Sequence, residues 1–439
     1  MSEQTLAIKS LETLLCAGVS PFHAVAHAAR RLKDAGFSEL CAKDSWQIEP
    51  GHSYYVDLYG SSLIAFTVGK AVEKGGEAPA IRMAASHTDW PCLRIKPSPE
   101  LAMGGYGLLN VECYGGLLVQ TWLDRPLSLA GRVCLKSDDP FCPDARLIDF
   151  HRPLLMVPNL ANHIKREAEK NAEPNRQTQM LPILTRLTKE LENDNFFLNL
   201  LAKELNVAPE EILDFEMYAY NCEKGTFWGL NEEFYSSPRL DNLTSVEGCL
   251  AGILSAKTCG KDDTGISLIA LYDNEEVGSR TKQGAASSAA DRLMEKLYLA
   301  LGFTREQYLG AMFKSFLLSM DVAHAYHPEY AANYDLRNHP LMNDGVVIKM
   351  ASAQTYATDS TAVSVLESLC RARNIPYRKY SNRSDLRGGS TLGSISSCAL
   401  SVKAADIGVG LLAMHSVMET MGAADQLALN QLTQAFFEG

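Results

Sequence analysis

The stretch that decides the fold is ISLIALYDNEEVGS, residues 266–279. Its first seven residues are apolar except for one serine, and such a run predicts a strand that is buried on both faces. The four residues that follow, Asp273-Asn274-Glu275-Glu276, are polar and mostly acidic. Ligands in open α/β sheets bind beyond the carboxyl ends of the strands, so this change predicts a functional edge of a sheet.

Two further apolar runs end in the same way. They are residues 81–85, followed by His87 and Asp89, and residues 313–320, followed by Asp321 and His324. If the three strands are parallel neighbours, their polar residues meet in one crevice. Two other segments have the same character, namely Asp241 ahead of a predicted helix and His415 in the sequence Met-His-Ser.

Outside these runs the predicted secondary structure of the chain changes character twice. Near its start, Ser20 and Pro21 predict the N-terminus of a helix, and strands are predicted at 54–59 and 63–68. Residues 91–135 are short strand-like pieces broken by glycine and proline, and polar residues 136–215 carry helical patterns at 183–191 and 196–205. After Pro238, helices (243–254, 287–301, 360–372) alternate with strands. The simplest arrangement is an α/β domain built from both ends of the chain, with a β-rich domain inserted between them.

Composition narrows the class of protein. The chain has 439 residues, enough for about two domains. Its 52 acidic and 41 basic residues give a net charge of −11, which argues against nucleic acid or an anionic membrane as partner. The first residues lack the pattern of a signal peptide, and no apolar run is long enough to cross a membrane. The eleven cysteines include no CxxC pair, so we expect free thiols and a cytoplasmic protein.

The acids and histidines at the predicted strand ends suit a metal site. Two histidines with two or three carboxylates favour zinc, or cobalt or manganese in the same ligands. In an extended chain His87 and Asp89 point the same way, so Asp89 can orient the imidazole. Adjacent glutamates should point apart, so one of Glu275 and Glu276 can bind metal while the other takes a proton from water. An aspartate bridging two ions would complete a two-metal site.

Each of these signals has a simpler explanation when it stands alone. A histidine two residues before an aspartate is usually a surface or structural pair, and two adjacent glutamates after a strand usually form a solvated turn. The sequence contains no GxxxxGK[ST], HExxH or GxSxG motif, which disfavours phosphate-loop, zincin and serine-hydrolase sites.

Nine ordered segments, spread over nearly the whole chain, together resemble the aspartyl aminopeptidase family of cytosolic two-metal exopeptidases, in its bacterial form. The segments are SHTDWPCLRIKP at 86–97, CYGGLLVQTWLDRPLSLAGRV at 113–133, VPNLANHIKRE at 157–167, SSPRLDNLTS at 236–245, DNEEVGS at 273–279, SMDVAHAYHPEY at 319–330, DGVVIK at 344–349, GGSTLGSI at 388–395 and ADIGVGLLAMHSVMET at 405–420.

The resemblance implies a role for each matching residue. One ion would be held by His87, Asp241 and Asp321, and the other by Asp241, Glu276 and His415. Glu275 would be the general base, Asp89 would support His87, and His324 would polarise the scissile carbonyl or stabilise the oxyanion. The remaining matches are assigned to substrate binding: Lys349 and Gly389 line the pocket, and His163 reaches the active site of a neighbouring subunit.

The resemblance also implies an architecture and an assembly. It implies a phosphorylase/hydrolase-like zinc-peptidase domain made of residues 1–91 and 237–439, with a β-rich dimerisation or lid domain inserted at 92–236. Family members assemble from dimers into dodecamers and act on peptides. We therefore expect two divalent ions per subunit, self-association, and neither nucleic acid nor membrane as partner.

The preferred N-terminal residue stays open at this point. An acidic substrate side chain needs a cation, and the candidates are Lys349, Arg94, Arg239 and Arg387. The alternative functions are another two-metal amidohydrolase, such as a deacylase or carboxypeptidase, and an inactive homologue that only assembles.

Overall fold

The computed structural model describes residues 2–166, 172–188, 195–256, 263–386 and 388–438. Within these ranges the helices are α1 (Glu3–Ala17), α2 (Pro21–Asp34), α3 (Phe196–Leu205), α4 (Leu240–Ala256), α5 (Ala289–Ala300), α6 (Arg305–Lys314), α7 (Ser360–Arg373), α8 (Leu392–Leu400) and α9 (Asp425–Glu438). None of these helices combines the length and the apolar character needed to span a bilayer.

The strands within the same ranges fall into three sheets. They are β1 (Ser38–Glu39), β2 (Ser53–Leu58), β3 (Ser62–Val68), β4 (Ile81–His87), β5 (Cys92–Met103), β6 (Tyr106–Tyr114), β7 (Leu127–Leu135), β8 (Asp144–Asp149), β9 (Ile183–Arg186), β10 (Ile212–Asn221), β11 (Thr226–Trp228), β12 (Phe234–Ser237), β13 (Ile266–Tyr272), β14 (Phe316–Met320), β15 (Ala323–His324), β16 (Val346–Met350), β17 (Tyr377–Ser381), β18 (Lys403–Gly408), β19 (Gly410–Leu412) and β20 (Glu419–Gly422).

The chain divides into two compact units. The first unit comprises Met1–Asp89, Gly225–Met414 and Glu419–Gly439, and the second comprises Trp90–Lys224 and His415–Met418. Mixed α/β structure with several sheets is thus the fold class of the chain.

The first unit is built on a nine-stranded sheet in the order β1-β2-β3-β13-β4-β14-β18-β16-β17. Its four central strands, β13, β4, β14 and β18, are mutually parallel. In this register Tyr272 at the end of β13 lies opposite His87 at the end of β4. The ends of three adjacent strands therefore lie at the same edge of the sheet.

Helices cover both faces of this sheet, which explains the continuous apolar runs of the central strands. On one face, Met83 and Ala85 of β4 belong to a core that includes Met294 and Leu297 of α5. On the other face, Ser86 of β4 lies against α4, with its Oγ 3.7 Å from the sulfur of Cys249. The first unit also contains a five-stranded sheet in the order β11-β12-β20-β19-β15.

The second unit is built on a six-stranded sheet in the order β8-β7-β10-β5-β6-β9, in which every pair of neighbours is antiparallel. Its core contains buried residues of β5, β6 and β7, and α3 contributes Phe197, whose ring packs edge-on against Phe215 with 5.3 Å between the centroids.

The structure confirms several of the predicted elements and corrects two. Strand β13 and helix α3 have the predicted bounds, and Ser20 caps α2 by accepting a hydrogen bond from the main-chain N–H of His23. The predicted helix at 183–191 is wrong: residues 183–186 form β9, which pairs with β6, and residues 189–191 lie outside the described ranges. The strand predicted at 313–320 begins only at residue 316, because residues 313 and 314 belong to the end of α6, a helix that starts at a capping box of Thr304 and Gln307.

Candidate active site at the ends of the parallel strands

His87 is the last residue of β4 and is buried together with Asp89. Its Nδ1 lies 3.0 Å from the main-chain oxygen of Asp89 and 3.4 Å from a carboxylate oxygen of the same residue. Because a carbonyl oxygen only accepts hydrogen bonds, Nδ1 carries the hydrogen and Nε2 is the atom available to a metal. Asp89 thus fixes both the orientation and the tautomer of His87.

Asp89 also joins the end of β4 to the end of β13. Its two carboxylate oxygens accept the main-chain N–H groups of Glu275 and Glu276, each at 3.1 Å. These glutamates begin a 3₁₀ turn, Glu275–Val277, and the preceding Asn274 has a left-handed backbone with φ 64°. One buried carboxylate therefore positions a histidine and two glutamates.

The expectation that Glu275 and Glu276 point apart is wrong. One carboxylate oxygen of each lies within 4.8 Å of the other and of a ring nitrogen of His87. The expectation assumed an extended chain, whereas a 3₁₀ turn separates successive side chains by about 120°. Long glutamate side chains in such a turn can converge on one point.

Asp241 and Asp321 complete the group around Nε2 of His87. Asp321 directly follows β14, and its main-chain N–H donates to Ile407 of β18 at 2.9 Å. Asp241 lies in the first turn of α4. One carboxylate oxygen of each aspartate is 3.4 Å from Nε2, and the three ligand atoms lie within 4.8 Å of one another.

Gly408 allows β18 to approach Asp321 closely. A Cβ atom at this position would collide with the main-chain carbonyl of Asp321. Glycine at the end of β18 is therefore required by the packing of the strand that carries Asp321.

Electrostatics at the site favour a positive charge. Burial by itself lowers the pKa of His87, but the carboxylates of Asp241, Asp321 and Asp89 outweigh it and raise the pKa well above its usual value. Burial raises the pKa of Glu275 to about 8, with His87 opposing the change and the neighbouring acids adding to it. The cluster thus concentrates acidic groups in a place where solvation is poor, which a bound cation would stabilise.

The residues present fit a divalent metal ion. Imidazole nitrogen and carboxylate oxygen are ligands that zinc takes in proteins, and the 4.8 Å spread of the ligand atoms allows one ion to lie among them. Among the described residues of the first unit, two groups have this property: His87 with Asp241 and Asp321, and His87 with Glu275 and Glu276. Nδ1 of the shared histidine is already oriented by Asp89, as the imidazole ligands of metal sites usually are.

Three further residues of the first unit were predicted to act in catalysis or substrate binding. His324 is exposed at the end of β15, and its ring centroid is 6.3 Å from that of Tyr380. Lys349 is buried on β16, where its Nζ donates to the main-chain oxygens of Asp321 and Val322 at 2.9 and 3.1 Å. Gly389 lies in a loop where a Cβ atom would meet nothing within 4 Å.

Two predicted residues belong to the second unit. His163 is exposed in the short turn Asn162–Ile164. His415 has its Nδ1 3.1 Å from the main-chain oxygen of Gly116, and its main-chain oxygen accepts the N–H of Leu118. A loop of the second unit thus orients the imidazole of His415.

The cations considered for an acidic substrate side chain already have partners. Arg94 pairs with Glu216 at 3.3 Å, and Arg239 donates to the main-chain oxygen of Leu15 at 2.8 Å. Lys349 also has main-chain partners, and its Nζ lies 3.8 Å from a carboxylate oxygen of Asp321. Arg387 lies outside the described residues.

Sequence reasoning missed Glu419. This buried residue is the first of β20, and its Oε2 accepts the main-chain N–H of Asp241 at 2.9 Å. Its signal in the sequence is a single acid within an otherwise largely apolar strand-like run, Val417-Met418-Glu419-Thr420-Met421.

A parallel sheet with buried histidine and carboxylates at its carboxyl edge is typical of metal-dependent hydrolases. Comparison with known proteins gives the family. Residues 14–437 match the family model described as aminopeptidase I zinc metalloprotease (M18), and the chain belongs to this M18 family. It is therefore a zinc metalloaminopeptidase, and this decides against the two alternative functions considered from the sequence.

Individual members of the family are similar to this chain over nearly its full length. The chain is 41% identical over 406 residues to a probable M18 family aminopeptidase 2 of Clostridium novyi (strain NT), which covers 92% of each protein. Its structure is similar to that of Ape4 in a complex with Nbr1, with a TM-score of 0.94, 33% identity and coverage of 99% of this chain and 86% of that one. The mApe1 dodecamer of S. cerevisiae shares the fold at 23% identity, with a TM-score of 0.83 and coverage of 99% and 96%.

Proposed function

We propose that this aminopeptidase works with two divalent ions per subunit, zinc being favoured over cobalt and manganese. One ion would be held by His87, Asp241 and Asp321, and the other by Asp241, Glu276 and His415. The observation that carries the proposal is the convergence of His87, Asp241, Asp321 and the two glutamates at one edge of the parallel sheet. The place of His415 in the second set rests on the resemblance of its segment to the family.

Ions bound here would polarise the scissile carbonyl and make the attacking water more acidic. Glu275 then takes a proton from this water and gives a proton to the leaving amine, the two halves of general acid–base catalysis. The buried position of Glu275 supports this role, because a carboxylate in poor solvation holds a proton more readily. Asp89 keeps His87 oriented, and His324 donates a hydrogen bond to the developing oxyanion.

The substrate is a peptide with a free N-terminus, and we propose a preference for N-terminal Asp or Glu. Lys349 is the favoured cation among the described candidates because its Nζ lies 3.8 Å from a carboxylate oxygen of Asp321, a proposed metal ligand. Gly389 is proposed to line the substrate pocket, and the open space around its Cα supports this position.

We also propose that subunits assemble as dimers into a dodecamer, with His163 reaching the active site of a neighbouring subunit. Its exposure in a turn of the second unit supports this role, and the yeast relative of similar fold forms a dodecamer. In this proposal residues 92–236 are an inserted dimerisation or lid domain, and residues 1–91 and 237–439 form a phosphorylase/hydrolase-like catalytic domain. The cysteines within the described ranges are free, which supports a cytoplasmic location.

The test is a substrate panel assayed with the protein after chelation and after return of zinc. We expect hydrolysis of Asp- and Glu-anilides, weaker hydrolysis of Leu-anilide, no hydrolysis of N-acetyl-Asp-anilide, and loss of all activity after chelation. The N-acetyl compound is the matched control, since it differs from the substrate only in its blocked amine.

Three results would each overturn a separate part of the proposal. Full activity after complete removal of metal would exclude the metal mechanism. Equal kcat/KM for Asp- and Leu-anilides would exclude the acidic preference. Bound zinc at one ion per subunit in the fully active enzyme would exclude the two-ion site.

A further inference from the structure

Glu419 is a buried acid outside the ligand set. The residue is 2% exposed, and its Oε2 accepts the main-chain N–H of Asp241 at 2.9 Å. Asp241 is the residue proposed to bridge the two ions. The contact therefore acts on the ligand through its backbone, while the carboxylate of Asp241 stays turned toward Nε2 of His87.

The backbone of Asp241 needs such a partner. The first N–H groups of a helix have no acceptor within the helix, and a buried N–H must find one elsewhere. Asp241 lies in the first turn of α4, and its backbone (φ −82°, ψ 104°) departs from helical geometry. A carboxylate is a strong acceptor for this N–H because the hydrogen bond is charge-assisted.

Glu419 is itself held in place by the five-stranded sheet. It lies opposite Ser237 in the antiparallel pairing of β20 with β12. Only three residues of the chain separate Ser237 from Asp241. The side chain of Glu419 spans this short connection from a strand that is fixed by its neighbours on both sides, β12 and β19.

A second tether acts on the next residue. The side-chain amide of Asn242 donates to the main-chain oxygen of Met320 at 2.9 Å, and Met320 immediately precedes Asp321. Asn242 thus ties the start of α4 to β14, whereas Glu419 ties it to β20. With both tethers in place, the peptide segment that carries the Asp241 side chain is held from two directions.

We propose that Glu419 is a positioning residue that fixes the backbone of Asp241 so that its carboxylate is already in place for metal. The inference rests on the proposed role of Asp241 as a ligand. Partners of this kind that orient metal ligands affect metal affinity by about 10–100-fold when they are removed.

The experiment compares Glu419→Ala with Glu419→Gln in the full-length protein. Zinc affinity is measured by competition with a chromogenic chelator, and circular dichroism of the metal-free protein verifies folding. We expect Glu419→Ala to bind zinc about 10–100-fold more weakly. Glu419→Gln should bind close to wild type, because its amide oxygen can still accept the N–H of Asp241.

Glu247→Ala is the matched control. Glu247 is also a buried glutamate, 1% exposed, but it pairs with Arg31 and accepts a hydrogen bond from Ser10. Its loss should lower the melting temperature and leave zinc affinity unchanged. If Glu247→Ala weakened zinc binding as much as Glu419→Ala, the effect would be general loosening of α4, and the positioning role would be wrong.

Asp241→Asn separates this inference from the proposed function. Loss of zinc in Asp241→Asn together with wild-type affinity in Glu419→Ala would overturn the role of Glu419 alone. Unchanged zinc affinity in Asp241→Asn would overturn the proposed ligand set and the inference with it. Weak binding in Glu419→Gln as well as in Glu419→Ala would contradict rescue by an acceptor oxygen.

Discussion

The nine-stranded sheet of the first unit and the six-stranded sheet of the second differ in the direction of their strands. This difference decides whether the residues that follow the strands can gather at one edge. At the centre of the first sheet β13, β4 and β14 are parallel, so the residues that follow them lie at one edge. In the second sheet every neighbouring pair is antiparallel. Successive strand ends then alternate between opposite edges, and no single edge collects them.

This contrast indicates different tasks for the two units. The first unit brings together His87, Asp241, Asp321 and the two glutamates, the residues proposed to react, whereas a loop of the second unit orients His415. Substitutions should therefore have their largest effects at the parallel strand ends, intermediate effects at the loop that holds His415, and the smallest effects on the antiparallel sheet.

The largest effect is expected for Glu275→Gln. Glutamine keeps the size of the side chain but cannot take a proton from water, so kcat should fall by about 10²–10⁴-fold, the usual contribution of a general base. Zinc content should stay at the wild-type level. Steady-state kinetics with Asp-anilide and metal analysis of the same sample measure the two quantities.

Glu276→Gln is the comparison for this substitution. Glu276 is a proposed ligand, so its replacement should lower zinc affinity as well as activity. The division of roles between the two glutamates would be refuted if Glu275→Gln lost zinc and Glu276→Gln kept it.

An intermediate effect is expected for Gly116→Ala. A Cβ atom at Gly116 would lie 3.2 Å from Nδ1 of His415, closer than ordinary contact, so the ring must shift by a few tenths of an ångström. Since His415 is a proposed ligand, zinc affinity should fall by about 10-fold, at the lower end of what loss of an orienting partner causes. Chelator competition measures this change.

Gly310→Ala is the control for this change, because a Cβ atom there would meet nothing within 4 Å. Zinc affinity should be unaffected and the melting temperature equal or slightly higher, since alanine favours the helix at this position. Wild-type zinc affinity in Gly116→Ala would mean that the second unit does not orient a ligand.

The same contrast explains how far the site could be predicted from the sequence. His87, Glu275, Glu276 and Asp321 could be predicted because they follow apolar strands that are parallel neighbours. Asp241 instead precedes the predicted helix that became α4. The convergence of the two glutamates was not predictable, since the 3₁₀ turn depends on Asp89 accepting both N–H groups. These hydrogen bonds join residues 186 and 187 positions apart and leave no local pattern in the sequence.

Prediction was weaker where local patterns compete with tertiary pairing. Residues 183–186 have a helical pattern of apolar positions but form β9, because β6 offers an open edge with which they pair. Residues 313 and 314 belong to the last turn of α6, so the helix extends into the predicted strand. His163 had no distinguishing signal at all, and only the resemblance to a family assigned it a role.

The smallest effect is expected for Arg94→Gln in the antiparallel sheet. Arg94 is half-buried and shares Glu216 with Arg132, which keeps its own ion pair with Glu216 at 2.6 Å. The free energy of unfolding should therefore fall by only about 0.5–1 kcal/mol, as for other partly exposed ion pairs, in urea titrations. The ratio of kcat/KM for Asp- and Leu-anilides should not change, because the guanidinium pairs with Glu216 and lies over the ring of Tyr218 within the antiparallel sheet, and Arg94 is not part of the proposed site. Lys349→Met should lower that ratio of kcat/KM values.

If Arg94→Gln lowered the ratio instead, the antiparallel unit would supply the specificity residue. The division of tasks between the two sheets would then be wrong.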